Sequence, residues 1–175
     1  MVGDGKNRAA KNPKASNGVR RGLDRIDCKI LDVLQRQGRI SNVELAKQVN
    51  LSPTPCLERV RRLERDGYIL GYHARLDPAK LGASLLLFVQ VTLDRTTPDV
   101  FERFREEVQI IPEVMECYMV AGGFDYLLKI RIADMDSYRN VLGQMLTALP
   151  GIMQTHTYVV MENVKDTLVL PLDTD

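Results

Sequence analysis

The chain has 175 residues, with 24 Lys and Arg against 23 Asp and Glu, enough for one domain or two of ordinary size. No apolar run approaches the roughly 18 residues that cross a bilayer, no apolar stretch follows the lysines and arginines near the N-terminus, and Cys28, Cys56 and Cys117 lack the spacing of a zinc site or disulfide framework. Membrane, disulfide-rich and zinc-dependent classes are disfavoured, and the expectation is a cytoplasmic protein with reduced thiols, no metal and no cofactor.

The near-zero net charge conceals a division. Residues 1–81 hold 17 Lys and Arg against 9 Asp and Glu, a net of +8, whereas residues 82–175 hold 7 against 14, a net of −7. One half suits a polyanion and the other repels it, so a basic nucleic-acid module joined to a module with another task is expected.

Residues 1–22 are rich in Gly, Asn, Lys and Arg and almost free of large apolar side chains. They cannot bury enough surface to offset the entropy of ordering, and a disordered basic arm is expected. From residue 23 the period becomes helical, with Leu23, Ile26, Ile30, Leu31 and Leu34 in phase and Gly38 at the expected end. Ser41 and Glu44 then form a capping-box pattern opening a short second helix, with Val43, Leu45, Ala46 and Val49 apolar and Asn50 and Leu51 ending it. Ser52 and Pro53 open a third helix that runs to about Asp66, where Gly67 is placed to terminate it. Two short helices joined by a tight turn, with a first helix behind them, make a helix-turn-helix. Tyr68 to Leu76 reads as a strand or small hairpin.

On the third helix Leu57, Val60 and Leu63 fall on one side at 100° per residue. Thr54, Glu58, Arg61, Arg62 and Arg65 fall on the other, with Arg59 at the boundary. Small polar groups at the N-terminal end and arginines beyond them suit a recognition helix in the major groove of double-stranded DNA. The competing reading is a solvated face on which Glu58 and Glu64 pair with the arginines. Candidate DNA-facing residues are Ser41, Ser52, Thr54, Pro55, Glu58, Arg59, Arg61, Arg62 and Arg65.

Residues 77–83 read as a linker. After it the period switches to two, with Leu87, Val89, Val91 and Leu93 on one side of a strand. Thr97, Pro98 and Asp99 cap a helix with Val100, Phe101, Phe104 and Val108 as its stripe. Strands over 114–120 and 124–132 flank a tight connection at Ala121, Gly122 and Gly123. Asp134 caps a longer helix with Met135, Tyr138, Val141, Leu142, Met145, Leu146 and Leu149 inward, and Pro150 and Gly151 end it before a last strand over 153–161. The fold class is therefore α+β: a helix-turn-helix over 23–76, and over 84–166 a β-α-β-β-α-β domain of the ferredoxin-like kind, with 167–175 as a tail. Both helices lie on one face of such a sheet. Its other face keeps Leu, Phe and Val, so a homodimer packed sheet on sheet is expected.

Gly122, Gly123, Phe124 and Asp125 form the second constellation. Glycines let backbone amides approach a ligand, and the Asp125 carboxylate can accept from an ammonium group; an amino acid fits, and a plain hairpin with a surface Asp is the competing reading. An enzyme is disfavoured. His73 and His156 lack metal-ligand spacing, and no nucleophile elbow or phosphate-binding glycine motif is present.

ISNVELAKQVNLSPTPCLERVRRLERDGYI at positions 40–69, GGFDYLLKIRI from Gly122 and THTYVVME from Thr155 resemble the Lrp/AsnC family of bacterial and archaeal regulators over about residues 22–166. The resemblance implies a winged DNA-binding domain, a β-α-β-β-α-β effector domain, and dimers assembling to octamers or larger. It implies a Gly-x-x-Asp effector loop, matched here by Gly122 and Asp125, with Thr157 and Tyr158 as further pocket residues. Leucine or another branched-chain amino acid is the expected effector, and the expected location is on the nucleoid. A ligand-independent, architectural DNA-compacting protein is the alternative. RNA binding through the sheet would need surface aromatics of the RNP type, where Leu and Val are expected on the strand instead.

Overall fold

The structure, a computed structural model, describes residues 22–149 and 151–174; the expected arm, apart from Gly22, and Pro150 lie outside the described residues. The chain divides into two compact units, one of residues up to His73 with Thr167 onward, and one spanning Ala74–Asp166. Residues 167–174, set apart above as a tail, thus group with the first unit. There Gln35 clasps Leu170, donating from Nε2 to its carbonyl at 2.9 Å and accepting from its amide at 2.9 Å.

The first unit contains α1 (Arg25–Arg36), α2 (Asn42–Gln48) and α3 (Pro53–Arg65). Helix α1 starts at a full capping box that the apolar pattern did not reveal: the Asp27 amide donates to Asp24 Oδ1 at 2.8 Å and the Asp24 amide to Asp27 Oδ2 at 3.0 Å. At α2 the box expected of Ser41 and Glu44 is half made. Ser41 Oγ accepts from the Glu44 amide at 3.2 Å, while the Glu44 carboxylate lies 3.6 Å from Lys47 Nζ. Asn50 then turns the chain at φ 58°. Ser52 occupies the N-cap of α3 but makes no side-chain cap bond. The reason is in the sequence, because an N-cap oxygen takes the amides at the second or third helical position, and the third here is Pro55, which has none. Asn42 Nδ2 donates instead to the Pro53 carbonyl at 2.7 Å, tying the starts of α2 and α3 together.

Helix α3 ends at Gly67, φ +77°, and the Tyr68 and Ile69 amides both return to the Leu63 carbonyl. The strand or hairpin expected from Tyr68 to Leu76 is not present. A strand exists only with a hydrogen-bonded neighbour, and among the described residues no strand pairs with this stretch, leaving Leu70 94% exposed. Ile30, Leu45, Val49, Cys56, Val60 and Leu63 form the core of the unit. Cys56 therefore takes the inward place expected of Leu57, which is exposed. Around the helix, residues 56, 60 and 63 share one direction, and residue 57 lies about 90° away from it.

The second unit runs β1 (Leu85–Leu93), α4 (Pro98–Val108), β2 (Val114–Met119), β3 (Tyr126–Ile132), α5 (Met135–Ala148) and β4 (Ile152–Val159). The strands are antiparallel in the order β2-β3-β1-β4, the ferredoxin-like topology. Strands β2, β3 and β4 are each shorter than expected, so Phe124 falls in the loop between β2 and β3. Leu87, Val89 and Val91, every second residue of β1, are fully buried with Leu128 and Ile130 of β3 against Phe104 and Val108 of α4 and Tyr138, Val141 and Met145 of α5. Both helices therefore cover one face of the sheet. Met135 and Leu146, expected inward, are about half exposed, since Leu146 stands 100° round the helix from Met145 and Met135 sits in the first turn, before the helix meets the core. The other face carries Phe88, Leu127, Tyr118 and Tyr158, with Lys129 paired to Glu116 at 2.8 Å.

Phe104 is the largest fully buried side chain and stacks on Tyr126, ring centroids 4.1 Å apart. Phe104→Ala should destabilise the second unit by about 3–5 kcal/mol, read as a lower denaturant midpoint of its unfolding.

Candidate nucleic-acid interface and effector loop

Helix α3 presents three faces. Cys56, Val60 and Leu63 point into the core, and burial pushes the Cys56 thiol pKa up despite the nearby Arg59 charge, so the thiol is a packed bystander. On the flank, Arg59 and Arg62 reach across to α1. Arg59 Nη1 donates to Asp27 Oδ1 at 2.8 Å and also to Asp24, and Arg62 Nη2 donates to Asp27 Oδ2. Asp27 is 1% exposed. A carboxylate so buried requires compensation, and here two guanidinium groups and the Asp24 amide supply it.

The third face is open to solvent and carries Thr54, Glu58, Arg61 and Arg65, with Ser52 before it. These positions lie about 160° around the helix from the inward ones. No ion pair joins Glu58 or Glu64 to an arginine of the helix. Glu64 instead accepts from the Tyr72 hydroxyl at 3.0 Å, and burial together with that carboxylate pushes the Tyr72 pKa up to about 12. Ser41 is committed to capping α2, and Pro55 is half-buried. Of the four arginines placed above on one DNA-facing surface or at its boundary, Arg61 and Arg65 point outward while Arg59 and Arg62 serve the fold. The missing signal was Asp27, 32 and 35 residues away from its partners.

In the second unit the loop over 120–125 is closed by the Val120 amide donating to the Asp125 carbonyl at 2.9 Å. Gly122 and Gly123 are exposed, with nothing within 4 Å of where a Cβ would stand. Phe124 is half-buried beside them. Asp125 docks the loop on β1, its amide donating to the Val91 carbonyl at 3.0 Å and its Oδ2 accepting from the Leu93 amide at 2.8 Å. One carboxylate oxygen is therefore structural. Thr157 and Tyr158 are not brought to this loop or to a common surface. Thr157 lies on the helix-covered face, opposite Val89, and its hydroxyl meets that of Tyr138; Tyr158 lies on the other face, opposite Phe88, and donates to Gln90 Oε1 at 3.3 Å.

A helix-turn-helix with a cationic outward face, joined in one chain to a ferredoxin-like domain, defines a DNA-binding regulator with an appended sensor module. Residues 23–69 match the winged helix-turn-helix DNA-binding model, and residues 86–170 match the Lrp/AsnC ligand binding domain. The chain is 57% identical over 171 residues to the leucine-responsive regulatory protein of Serratia marcescens, covering 98% of each. It is 60% identical over 152 residues to that of Escherichia coli strain K12, covering 87% of this chain and 93% of that one. Among solved structures, a Neisseria meningitidis transcriptional regulator in complex with L-Met is 38% identical, with a TM-score of 0.81 over 85% of this chain and 96% of that one. An AsnC family regulator from Agrobacterium tumefaciens is 36% identical, with a TM-score of 0.82 over 85% and 97%. The chain belongs to the Lrp/AsnC family of transcription regulators.

Two outcomes follow from the ion pairs. Arg61→Gln and Arg65→Gln should each flatten the salt dependence of DNA affinity by about one unit of log–log slope, whereas Arg59→Gln and Arg62→Gln should leave the slope unchanged and lower the melting temperature. A slope that falls with Arg62→Gln would return that side chain to the phosphates. Burial raises the Asp24 carboxyl pKa, but the Arg59 hydrogen bond, the Asp27 amide and the Arg59 charge outweigh it and hold the group below its ordinary value. Its contribution to stability is present above the unfolded pKa and lost as pH falls through the lower folded one. Melting temperature should therefore decline below about pH 4, and Asp24→Asn should shrink that decline.

Proposed function

We propose that this chain binds specific double-stranded DNA through Ser52, Thr54, Glu58, Arg61 and Arg65, and that an amino acid held at the Gly122–Asp125 loop biases its DNA affinity or its assembly. The observation that carries the reading is the outward face of α3, where two arginines stand apart from intramolecular carboxylate partners on α1 and small polar side chains precede them. The loop offers amides unobstructed by side chains at Gly122 and Gly123, and the second oxygen of Asp125 is available to accept from an ammonium group. Leucine is the first candidate effector, supported by the names of the relatives, and methionine is a second, supported by the complex of the Neisseria meningitidis regulator.

Phe88, Leu127, Tyr118 and Tyr158 on the sheet face that carries no helix support a homodimer, which would present two copies of α3 to two half-sites. Assembly to octamers or larger, and association with the nucleoid, rest on the family. An effector acts only if it favours one assembly or conformation over another.

Sedimentation of the protein with and without an intergenic DNA fragment, across a panel of amino acids at fixed salt, tests the proposal. One aliphatic amino acid should shift assembly or DNA affinity several-fold, and Asp125→Asn, which keeps an acceptor for the Leu93 amide but removes the charge, should abolish the shift with DNA binding intact. DNA binding and compaction indifferent to every amino acid would favour the architectural alternative.

A further inference from the structure

Helix α4 and edge strand β2 do not close against each other. Between them lies a cleft of ≈ 350 Å³ whose walls include Arg105, Val108 and Gln109 from α4, Cys117 and Met119 from β2, and Tyr126 from β3. The cross-strand register puts Cys117 opposite Leu128 and Met119 opposite Tyr126, so these side chains share the helix-covered face of the sheet. The cleft wall is mixed, polar at Arg105, Gln109 and Glu116 and apolar along the valines and methionines, and methionine adapts readily to ligands of different shape.

The decisive group is the Tyr126 hydroxyl. Tyr126 is 4% exposed, its ring is stacked on Phe104, and its hydroxyl is buried without a hydrogen-bond partner among the described residues. A buried hydroxyl left unmatched is unfavourable and calls for a partner that enters the cleft. Burial raises its pKa, which keeps the O–H a donor at neutral pH, and Arg105 lies close enough to act on it electrostatically. Arg105 donates from Nη1 to Glu102 at 2.8 Å, and a guanidinium has further N–H donors to offer. Glu116, the carboxylate that lines the cleft, is matched by Lys129 and Tyr118, and Glu102 by Arg105, so the groups left free in the walls are donors, the Tyr126 hydroxyl and the remaining N–H groups of Arg105, which suit an anion.

We infer that the cleft between α4 and β2 is a second small-molecule site, distinct from the Gly122–Asp125 loop, and takes a small apolar carboxylate without an ammonium group. One carboxylate oxygen accepts from the Tyr126 hydroxyl and the other faces Arg105, while the hydrocarbon tail lies along Val108, Cys117 and Met119. An amino acid is recognised at the loop through its ammonium group; its deaminated counterpart is recognised here through its carboxylate and hydrocarbon tail. The loop glycines do not line the cleft, so a failure of the loop site leaves this one testable.

The test is calorimetric titration of the full chain with 4-methylpentanoate, and with L-leucine as the competing ligand. The acid should bind at sub-millimolar concentration whether or not leucine is present. Tyr126→Phe should weaken it about fivefold and Arg105→Gln about tenfold, while Asp125→Asn, which removes a negative charge close enough to act on that hydroxyl, should not weaken it. Tyr126→Phe keeps the stacked ring, so a thermal melt no lower than that of the parent shows that lost binding is not lost folding; Arg105, on the surface, tests the site independently. No binding at millimolar acid, displacement by leucine, or indifference to both substitutions would overturn the assignment.

Discussion

Asp27 is a charged side chain with almost no access to water, and most of the first unit is arranged around keeping it there. It caps α1 through the Asp24 amide and receives one arginine from each of two successive turns of α3. Removing either kind of partner would leave a buried charge uncompensated, which is far more unfavourable than never having built the pair. The arrangement also fixes the rotation of α3 about its own axis. With Arg59 and Arg62 drawn to one flank and Cys56, Val60 and Leu63 in the core, Thr54, Glu58, Arg61 and Arg65 can only face outward. The surface proposed to meet DNA is therefore set from behind, by two carboxylates at the N-terminal end of α1.

In the second unit the corresponding constraint is geometric. A four-stranded sheet with both helices on one side divides every strand into covered and uncovered residues, and α4 and α5 do not cover the β2 edge completely. The loop between β2 and β3 is held at the end of β1 by Asp125, so the same carboxylate that is expected to meet a ligand also holds the loop that would bind it. Binding chemistry and loop position are thereby coupled in one side chain.

The elements were largely legible because their signals are local. Gly67, the Ser52 and Pro53 start and the alternation of β1 each follow from neighbouring residues. What could not be read was what depends on distant ones: the Asp27 ion pairs, the docking of Asp125 on Leu93, and the orphan hydroxyl of Tyr126. The expected strand after α3 failed for the same reason, since β-propensity does not supply a neighbour to pair with. Two features were legible in the sequence itself. Pro55 denies Ser52 its usual capping partner, and the two-residue period that identified β4 sends Thr157 and Tyr158 to opposite faces.

Gly122 and Gly123 have a further consequence. Neither adopts the left-handed backbone that reserves a position for glycine, and neither has a neighbour that a methyl group would strike. Folding places no demand on them. In a genetic selection for stable, abundant protein both positions would drift, whereas a selection for metabolite response would hold them if the loop binds the proposed effector, so the ratio of the two tolerances would separate purifying selection on recognition from selection on folding.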